Sequence, residues 1–314
     1  MGRQTETIPD TSSPIRREVC AVIVSYNSPE NVISCIDASA DQVDGIIVVD
    51  NSVESRTKDT LMKRAYSDKI HFIFNGINKG LAAALNQGLQ YSLDTNYRWT
   101  LLLDQDSVPA EDMVREMIVS YKNLDDKTKE ETAIVVPVVF DRNFRNVLPS
   151  VVTTNFLNRK IKNPPHDSFV HFHITSGSLI KNEVLSNIGL MNERFFIDYV
   201  DFDYCFRVLN KGYKILLSKN AVLSHSLAER KQKLGFQFRE HNAGRVYYQT
   251  RNRLFAMIWY GNKYRSFLYS QISRSIGKLF KIIFLESDKR EKLRMYFKGI
   301  KDFIREYHML DTGF

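Results

Sequence analysis

From Val19 onward, short apolar runs alternate with stretches whose apolar residues recur every three to four positions. The runs Val19–Val24, Ile46–Val49, Ile70–Phe74, Thr100–Leu103 and Ile134–Val139 hold almost no polar residue. Runs of this kind predict strands buried on both faces, and strands separated by helices predict a parallel sheet covered on both sides. Helices are expected from about Gly80 to Leu93, and from Pro109, as a first-turn proline, to about Asn123. Past Arg142 the alternation fades. Residues 142–168 read as loop, 169–174 as a further strand and 181–188 as a helix. The stretch Phe195–Asp203 leads into a helix ending near Lys211, and residues 241–307 read as two or three basic, aromatic-rich helices. The expected architecture is α/β: a mostly parallel sheet flanked by helices, with a basic helical C-terminal extension. Its expected bounds are a flexible leader over 1–17, a body over 18–240 with halves 18–140 and 141–240, and the helical region 241–314.

In open α/β sheets, ligands bind outside the carboxyl ends of the strands. Here those ends are Tyr26-Asn27, Asp50-Asn51, Asn75 to Lys79, and Asp104 to Asp106. No GxGxxG follows the first strand and no GxxxxGK[ST] occurs anywhere, so a glycine cradle for a dinucleotide or a P-loop is absent. A nucleotide would have to be held by polar residues at strand ends.

Composition narrows the class. With 43% hydrophobic and 12% aromatic residues in 314, the chain can bury a large core, which excludes wholesale disorder. The three cysteines are scattered without a CxxC, so a reducing compartment is the expectation. No apolar run approaches the ~20 residues of a spanning helix. Met1–Arg17 is polar and does not read as a secretory signal. The net charge of +8 is unevenly spread: residues 1–227 hold 25 Lys and Arg against 28 Asp and Glu, whereas residues 228–314 hold 19 against 8. A basic tail of this kind meets an anion, whether nucleic acid, an acidic substrate or an anionic membrane. No nucleic-acid-binding motif is recognisable, so nucleic acid is not expected as a partner. Basic amphipathic helices that rest on an anionic bilayer are. The competing reading packs the apolar faces of those helices on the body or a second subunit and leaves the charges solvated.

Asp104-Gln105-Asp106 follows Leu101-Leu102-Leu103. Two carboxylates at i and i+2 on a strand end can turn toward one hard cation, such as Mg2+ or Mn2+ on a diphosphate. They can equally cap the next helix. Read through Val108, the stretch also resembles the nucleophile motif of haloacid-dehalogenase-type phosphatases, with Asp104 as nucleophile and Asp106 beside it. That motif normally follows the first strand of its fold, whereas three strand–helix units precede it here.

Five ordered segments resemble the inverting glycosyltransferases of family 2, which have the GT-A fold. They are Val24-Ser25-Tyr26-Asn27, Ile47 to Ser52, Asn78 to Asn86, Leu103 to Ser107, and Phe196 to Asp203 followed by Arg207 and Gly212-Tyr213. Within the family, Asn78–Gly88 and Leu101–Ser107, with Ser176–Ile180 and Tyr247–Asn252, are most similar to bacterial rhamnosyltransferases. These use dTDP-L-rhamnose to build O-antigen and other surface polysaccharide. The resemblance implies that Ser25, Tyr26 and Asn27 hold the pyrimidine base and that Asp50 accepts a hydrogen bond from base or sugar. It places Asn51 and Lys79, with Gly80 and Gln105 alongside, near base, ribose or diphosphate. Asp104 and Asp106 would hold ribose and metal, with His225 completing the metal shell. The family's Glu-Asp-x-Asp motif reads here as Val200, Asp201 and Asp203, followed by Arg207. The catalytic base is carried to Asp201, with Asp198 and Asp203 as alternatives for that role. Ser176, Gly177, Asp198 and Asp203 are the candidates for binding a glycan or polyprenyl-diphosphate-linked acceptor. A member that has lost activity and serves as a nucleotide-sugar-binding scaffold is the rival from another class, and intact Asp104, Asp106 and Asp201 argue against it.

Blander readings accompany these. Asp198, Asp201 and Asp203 can form an N-cap cluster, where the helix dipole would keep a carboxylate ionised. Arg207 reads as an ion-pair partner. His225 can be a core histidine. His171 and His173 could ligate zinc but lack a Cys or acidic partner nearby, so a structural role is preferred.

Overall fold

The computed structural model describes residues 17–64, 66–226, 230–233 and 236–311. The leader expected over 1–17 lies, apart from Arg17, outside the described residues. The chain begins β1 (Arg17–Ser25), α1 (Pro29–Ser39), β2 (Gly45–Asp50), α2 (Arg56–Met62), β3 (Ile70–Phe74), α3 (Leu81–Asp94) and β4 (Tyr97–Asp104). It continues through β5 (Ser107–Pro109), α4 (Met113–Lys122), α5 (Asp126–Glu131), β6 (Thr132–Asp141), the short strands β7 (Asn146–Val147), β8 (Ser150–Val152), β9 (Arg159–Ile161) and β10 (Ser168–Val170), and β11 (Leu179–Lys181). Then come α6 (Leu185–Ile188), α7 (Val200–Asn210), β12 (Lys214–His225), β13 (Arg230–Lys233), β14 (Phe236–Arg239), α8 (Ala243–Tyr260), α9 (Arg265–Phe284) and α10 (Lys289–Asp311).

The main sheet runs β10-β12-β6-β11-β4-β1-β2-β3, with β5 added to β12 and β7 to β6. β1, β2, β3 and β4 are mutually parallel where they pair. β11 inserts antiparallel between β4 and β6 and joins this half to the parallel pair β6–β12. The continuous apolar runs follow from burial on both faces. Cys20, Val22 and Val24 pack with Ile47 and Val49 against Ala82, Leu85 and Leu89 of α3. Their neighbours Ala21 and Ile23 pack with Ile46 and Val48 against Cys35 and Ile36 of α1 and Met113 and Met117 of α4.

Three local expectations change. Pro109 ends a short strand instead of opening a helix, because Ser107–Pro109 pairs with Leu223–His225 and delays α4 to Met113. The expected loop 142–168 contains short hairpin strands, and β10 stops at Val170. The helix expected over 181–188 is a strand end, a 3-10 turn over Asn182–Val184 and the one-turn α6.

Among the described residues, the C-terminal region from 241 on is three helices, α8 to α10. Phe206 of α7 packs its ring against Tyr260, Tyr264 and Phe267. Phe255 of α8 meets Phe303 of α10. Not all of the region's charge is solvated. Lys292 Nζ lies 2.6 Å from Glu240 Oε1 and 3.1 Å from Glu286 Oε2, and Lys278 Nζ lies 2.7 Å from Glu286 Oε1. These side chains are almost wholly buried, so each charge is matched where water cannot reach it. Among the described residues, no helix is long and apolar enough to cross a membrane.

Candidate active site

The carboxyl ends of β1, β2 and β4 come together. The Tyr26 N–H donates to Gln105 Oε1 at 2.8 Å, and the Asn27 N–H donates to Ser52 Oγ at 2.8 Å. Ser52 Oγ donates in turn to Asp50 Oδ1 at 2.7 Å. Asp50 thus fixes the Tyr26-Asn27 turn through Ser52, and Asn27 adopts the left-handed region at φ +52°. Tyr26 is exposed at the rim, whereas Ser25 is fully buried. The Ser25 hydroxyl is shut inside the sheet end, so the hold on a base expected of this loop would come from backbone groups and from the turn after it.

Next to this, Asn51 Nδ2 donates to the Gly80 carbonyl at 2.9 Å, and Asn75 Nδ2 donates to Asn51 Oδ1 at 2.8 Å. Gly80 sits at φ +88°, and a Cβ there would stand 2.7 Å from the Phe196 carbonyl oxygen. Only glycine meets both demands. Lys79, just before it, is exposed.

Asp104, Asp106 and His225 converge, with ligand atoms all within 4.8 Å of one another. β5 pairs with β12 so that Ser107 stands opposite His225. His225 Nε2 lies 3.7 Å from Asp104 Oδ2, and Nδ1 lies 3.3 Å from Asp106 Oδ1. Burial, with a further push from the Asp104 charge, raises the Asp106 carboxyl to about 6 even though His225 opposes it. Two facing carboxylates and an imidazole, with one carboxyl resisting ionisation, are a donor set that fits a divalent cation.

Ser176 and Gly177 lie beneath this cluster. The Asp104 N–H donates to Ser176 Oγ at 3.1 Å, and Ser176 Oγ is 2.6 Å from Ser107 Oγ. Gly177, at φ +87°, donates its N–H to the Leu102 carbonyl at 2.7 Å, and a Cβ there would stand 2.7 Å from Pro137 Cγ. Both residues are buried and support the Asp104 turn.

The acidic segment bends through two consecutive left-handed non-glycine residues, Asp198 at φ +62° and Tyr199 at φ +69°. Such backbone costs on the order of 1–3 kcal/mol per residue and needs outside support. Support comes from α8. Arg245 grips Asp198 with Nε and Nη2 at 2.9 and 3.0 Å, and Asn252 Nδ2 donates to the carbonyls of Ile197 and Asp198 at 2.9 and 3.1 Å. Asp201 follows in the first turn of α7, its Oδ1 accepting the Phe202 N–H at 2.9 Å. Burial, aided by the nearby charges of Asp198 and Asp104, raises its carboxyl to about 7. The expectation that the helix start would keep it readily ionised is overturned, because desolvation outweighs the N-terminal dipole here.

Asp203 turns the other way. Its Oδ1 accepts from Tyr260 Oη at 2.6 Å and its Oδ2 from Arg207 Nε at 2.9 Å, both in the core. It is buried, and both its carboxylate oxygens are already paired. Arg207 also donates to the carbonyls of Ile188 and Leu190, as an ion-pair residue of the frame. His171 and His173 have separate partners, Thr153 and Ser150. Burial pushes His173 down to about 3, which leaves it a neutral core residue.

Sequence reading missed Arg142 and Arg245, and it named Asn252 only as the end of the Tyr247–Asn252 segment, without a role. Arg142 Nη2 donates to the Asp106 carbonyl at 2.8 Å and its Nε to Ser226 Oγ at 2.9 Å, bracing the loop on either side of His225. The only signal for Arg245 was its place three residues after Asn242, whose side chain caps α8 through the Arg245 N–H.

The family model described as "Glycosyl transferase family 2" matches residues 20–189. The dTDP-rhamnosyl transferase RfbF of Shigella flexneri is 33% identical over 242 residues, covering 74% of this chain and 78% of that protein. The low-salt glycan biosynthesis hexosyltransferase Agl10 of Haloferax volcanii is 29% identical over 210 residues, covering 63% of this chain and 64% of that protein. Among solved structures, GalNAc-T7 with UDP, GalNAc and Mn2+ superposes with a TM-score of 0.62 at 14% identity, covering 82% of this chain and 50% of that one. S. aureus TarS in complex with UDP-GlcNAc gives 0.58 at 13% identity, covering 92% and 81%. At these identities the two structures speak for the GT-A-type fold alone.

Proposed function

The chain belongs to glycosyl transferase family 2, and on that premise we propose that it is an inverting, metal-dependent rhamnosyltransferase that uses dTDP-L-rhamnose. Family membership replaces the phosphatase reading of Asp104. The observation that carries the mechanism is the convergence of Asp104, Asp106 and His225, with Asp201 near enough for the Asp104 charge to add to the rise of its carboxyl. The donor is argued from the similarity to RfbF.

In this reading Tyr26 and Asn27 hold the pyrimidine, the Asp50–Ser52 pair keeps their turn in shape, and the Asn51–Gly80 contact sets the loop beside ribose and diphosphate. Lys79 supplies an exposed positive charge there. Asp104, Asp106 and His225 would hold Mg2+ or Mn2+, which offsets negative charge on the departing nucleoside diphosphate. The acceptor hydroxyl is positioned at Asp201. As its oxygen bonds to the anomeric carbon, its proton passes to an Asp201 carboxylate oxygen, and the bond from that carbon to the diphosphate breaks on the opposite face. A carboxylate whose proton affinity is raised to about 7 is a better base than an ordinary one, and about half of it is ionised at pH 7. The acceptor we propose is a glycan, carried on a polyprenyl diphosphate at the cytoplasmic face of a membrane, for surface polysaccharide synthesis.

A donor screen tests this. The protein is incubated with dTDP-rhamnose, UDP-glucose, UDP-galactose and UDP-N-acetylglucosamine, with Mn2+ or with EDTA, while calorimetry follows binding and nucleotide release follows slow donor hydrolysis. Metal-dependent preference for dTDP-rhamnose is the expected result. Preference for a UDP-sugar would overturn the donor but keep the transferase.

A further inference from the structure

Helix α9 carries its hydrophobic side outward. Tyr269, Ile272, Ile276, Phe280, Ile283 and Phe284 are all exposed, from 40% at Ile283 to 67% at Ile276. Their spacing of three, four, four, three and one places them on one continuous helical face four turns long. The opposite face is already used: Phe267, Gln271, Lys278 and Ile282 are buried. A stripe of this size is not the scatter of single apolar residues normal for a surface.

The charge around the stripe selects what covers it. Arg265–Phe284 contains four Lys and Arg and no Asp or Glu. Arg265, Arg274 and Lys281 are exposed on the helix, and just beyond its ends the exposed Lys263, Lys289 and Arg290 outnumber the exposed Asp288 and Glu291. Two copies of this face meeting about a two-fold axis would bring like charges together. An anionic lipid surface accepts the apolar chains and attracts the cations. We propose that the exposed face of α9 lies in the headgroup region of an anionic bilayer.

The buried side of the same helix is tied to the acidic segment. Tyr199 Oη donates to Gln271 Oε1 at 2.7 Å and accepts from Arg253 Nε at 2.7 Å, and Arg253 Nη1 reaches Ser275 Oγ at 3.2 Å. The membrane face and the Asp198–Asp201 bend are thus separated by one helix, roughly 10–12 Å thick, and the length of one tyrosine. If the acceptor is lipid-borne, as the proposed function has it, α9 brings Asp201 to the membrane surface in a fixed pose.

Sedimentation with vesicles tests the proposal without any sugar donor or glycolipid, so its failure is distinct from failure of the transferase reading. Wild-type protein is expected to sediment at low salt with vesicles of equal parts phosphatidylcholine and phosphatidylglycerol, and to stay in solution with phosphatidylcholine alone. Ile276→Ser combined with Phe280→Ser is expected to lower the partition coefficient by about tenfold or more. Arg265→Glu with Lys281→Glu is expected to lower it by at least the roughly fivefold that corresponds to each surface cation. Because all four side chains are exposed, the thermal melts should match wild type. Wild type that ignores the mixed vesicles at low salt, or a serine variant that binds them equally, overturns the proposal. So does a wild-type dimer that the serine variant converts to monomer without any vesicle binding, which would assign the face to a second copy.

Discussion

Arg245 holds both carboxylate oxygens of Asp198, Nε at 2.9 Å and Nη2 at 3.0 Å, across 47 residues of sequence. The pair joins the first turn of α8 to a backbone bend that non-glycine residues seldom adopt. A forked guanidinium on a carboxylate is geometrically specific as well as strong. It therefore sets both the shape of the bend and the distance of Asp198 from Asp201.

Arg245→Ala is expected to lower kcat/KM by about 10-fold to 100-fold, since a bend left unsupported misplaces the groups that follow it. Arg245→Lys should recover little, because an ammonium cannot make the fork. A merely structural loss would leave the pH profile in place. Removing a cation that favours the ionised form of Asp201 should instead move its acid limb upward, read from kcat/KM against pH.

Asp201 must be ionised to take a proton. With its carboxyl raised to about 7, the transfer rate is expected to fall as pH drops through 7, tenfold per unit well below it. Asp201→Asn should reduce turnover by about 10²-fold to 10⁴-fold with donor affinity nearly unchanged. Turnover at the wild-type rate would move the base to another carboxylate.

The parallel half of the sheet was legible because burial on both faces leaves a continuous apolar signature, as in Val19–Val24 and Ile46–Val49. β5 was not legible, because a three-residue edge pairing with β12 is set by a partner more than a hundred residues away. The same holds for the site. Asp104 and Asp106 were visible as strand-end residues and His225 through the family resemblance, and the three do converge. Which way Asp203 points was not visible. Arg207 lies four residues on within α7, but Tyr260 comes from the facing helix, and periodicity within α7 says nothing of what that helix offers. Ser176 and Gly177 stood out by motif, yet their task of supporting the Asp104 turn appears only when β11 is seen inserted beside β4.

Asp106→Ala is expected to weaken the Mn2+-dependent part of nucleotide binding by about tenfold or more while leaving metal-free binding near wild type. His225→Ala should act in the same direction. Calorimetric titration of the nucleotide with Mn2+ and with EDTA separates the two parts. An unchanged difference between them in the Asp106 variant would remove that residue from the metal shell.

Gly177→Ala confronts two penalties at once, a left-handed backbone and a Cβ placed 2.7 Å from Pro137 Cγ and 2.9 Å from Leu223 Cδ2. A loss of about 2–4 kcal/mol is expected from backbone strain and overpacking together. The Gly177 N–H bonds to Leu102 and Ser176 bonds to Asp104, so metal affinity should fall along with stability. Denaturant melts and Mn2+ titration check the two effects. Ser176→Ala, which keeps the packing, should lower Mn2+ affinity with a smaller stability loss.

Asp201→Asn should also stabilise the protein, in a pH-dependent way that follows from linkage. The folded state binds the Asp201 proton up to about 7, whereas an unfolded chain releases it near the ordinary value of about 4. Between those limits the folded form holds more protons than the unfolded one, so wild-type stability from this group is greatest below about 4 and declines as pH rises. Above 7 the decline is complete, because a carboxylate is then buried in its charged form. Asparagine has no charge to bury, and its side-chain oxygen can still accept the Phe202 N–H. The variant should therefore melt close to wild type at pH 4 and above it at pH 8 by on the order of 2 kcal/mol, several degrees for a domain of this size. The comparison belongs in EDTA, since a cation near Asp104 would favour the Asp201 charge as well. Equal melting differences at pH 4 and pH 8 would mean that Asp201 is solvated as a carboxylate, and the elevated base would have to be sought elsewhere in the cleft.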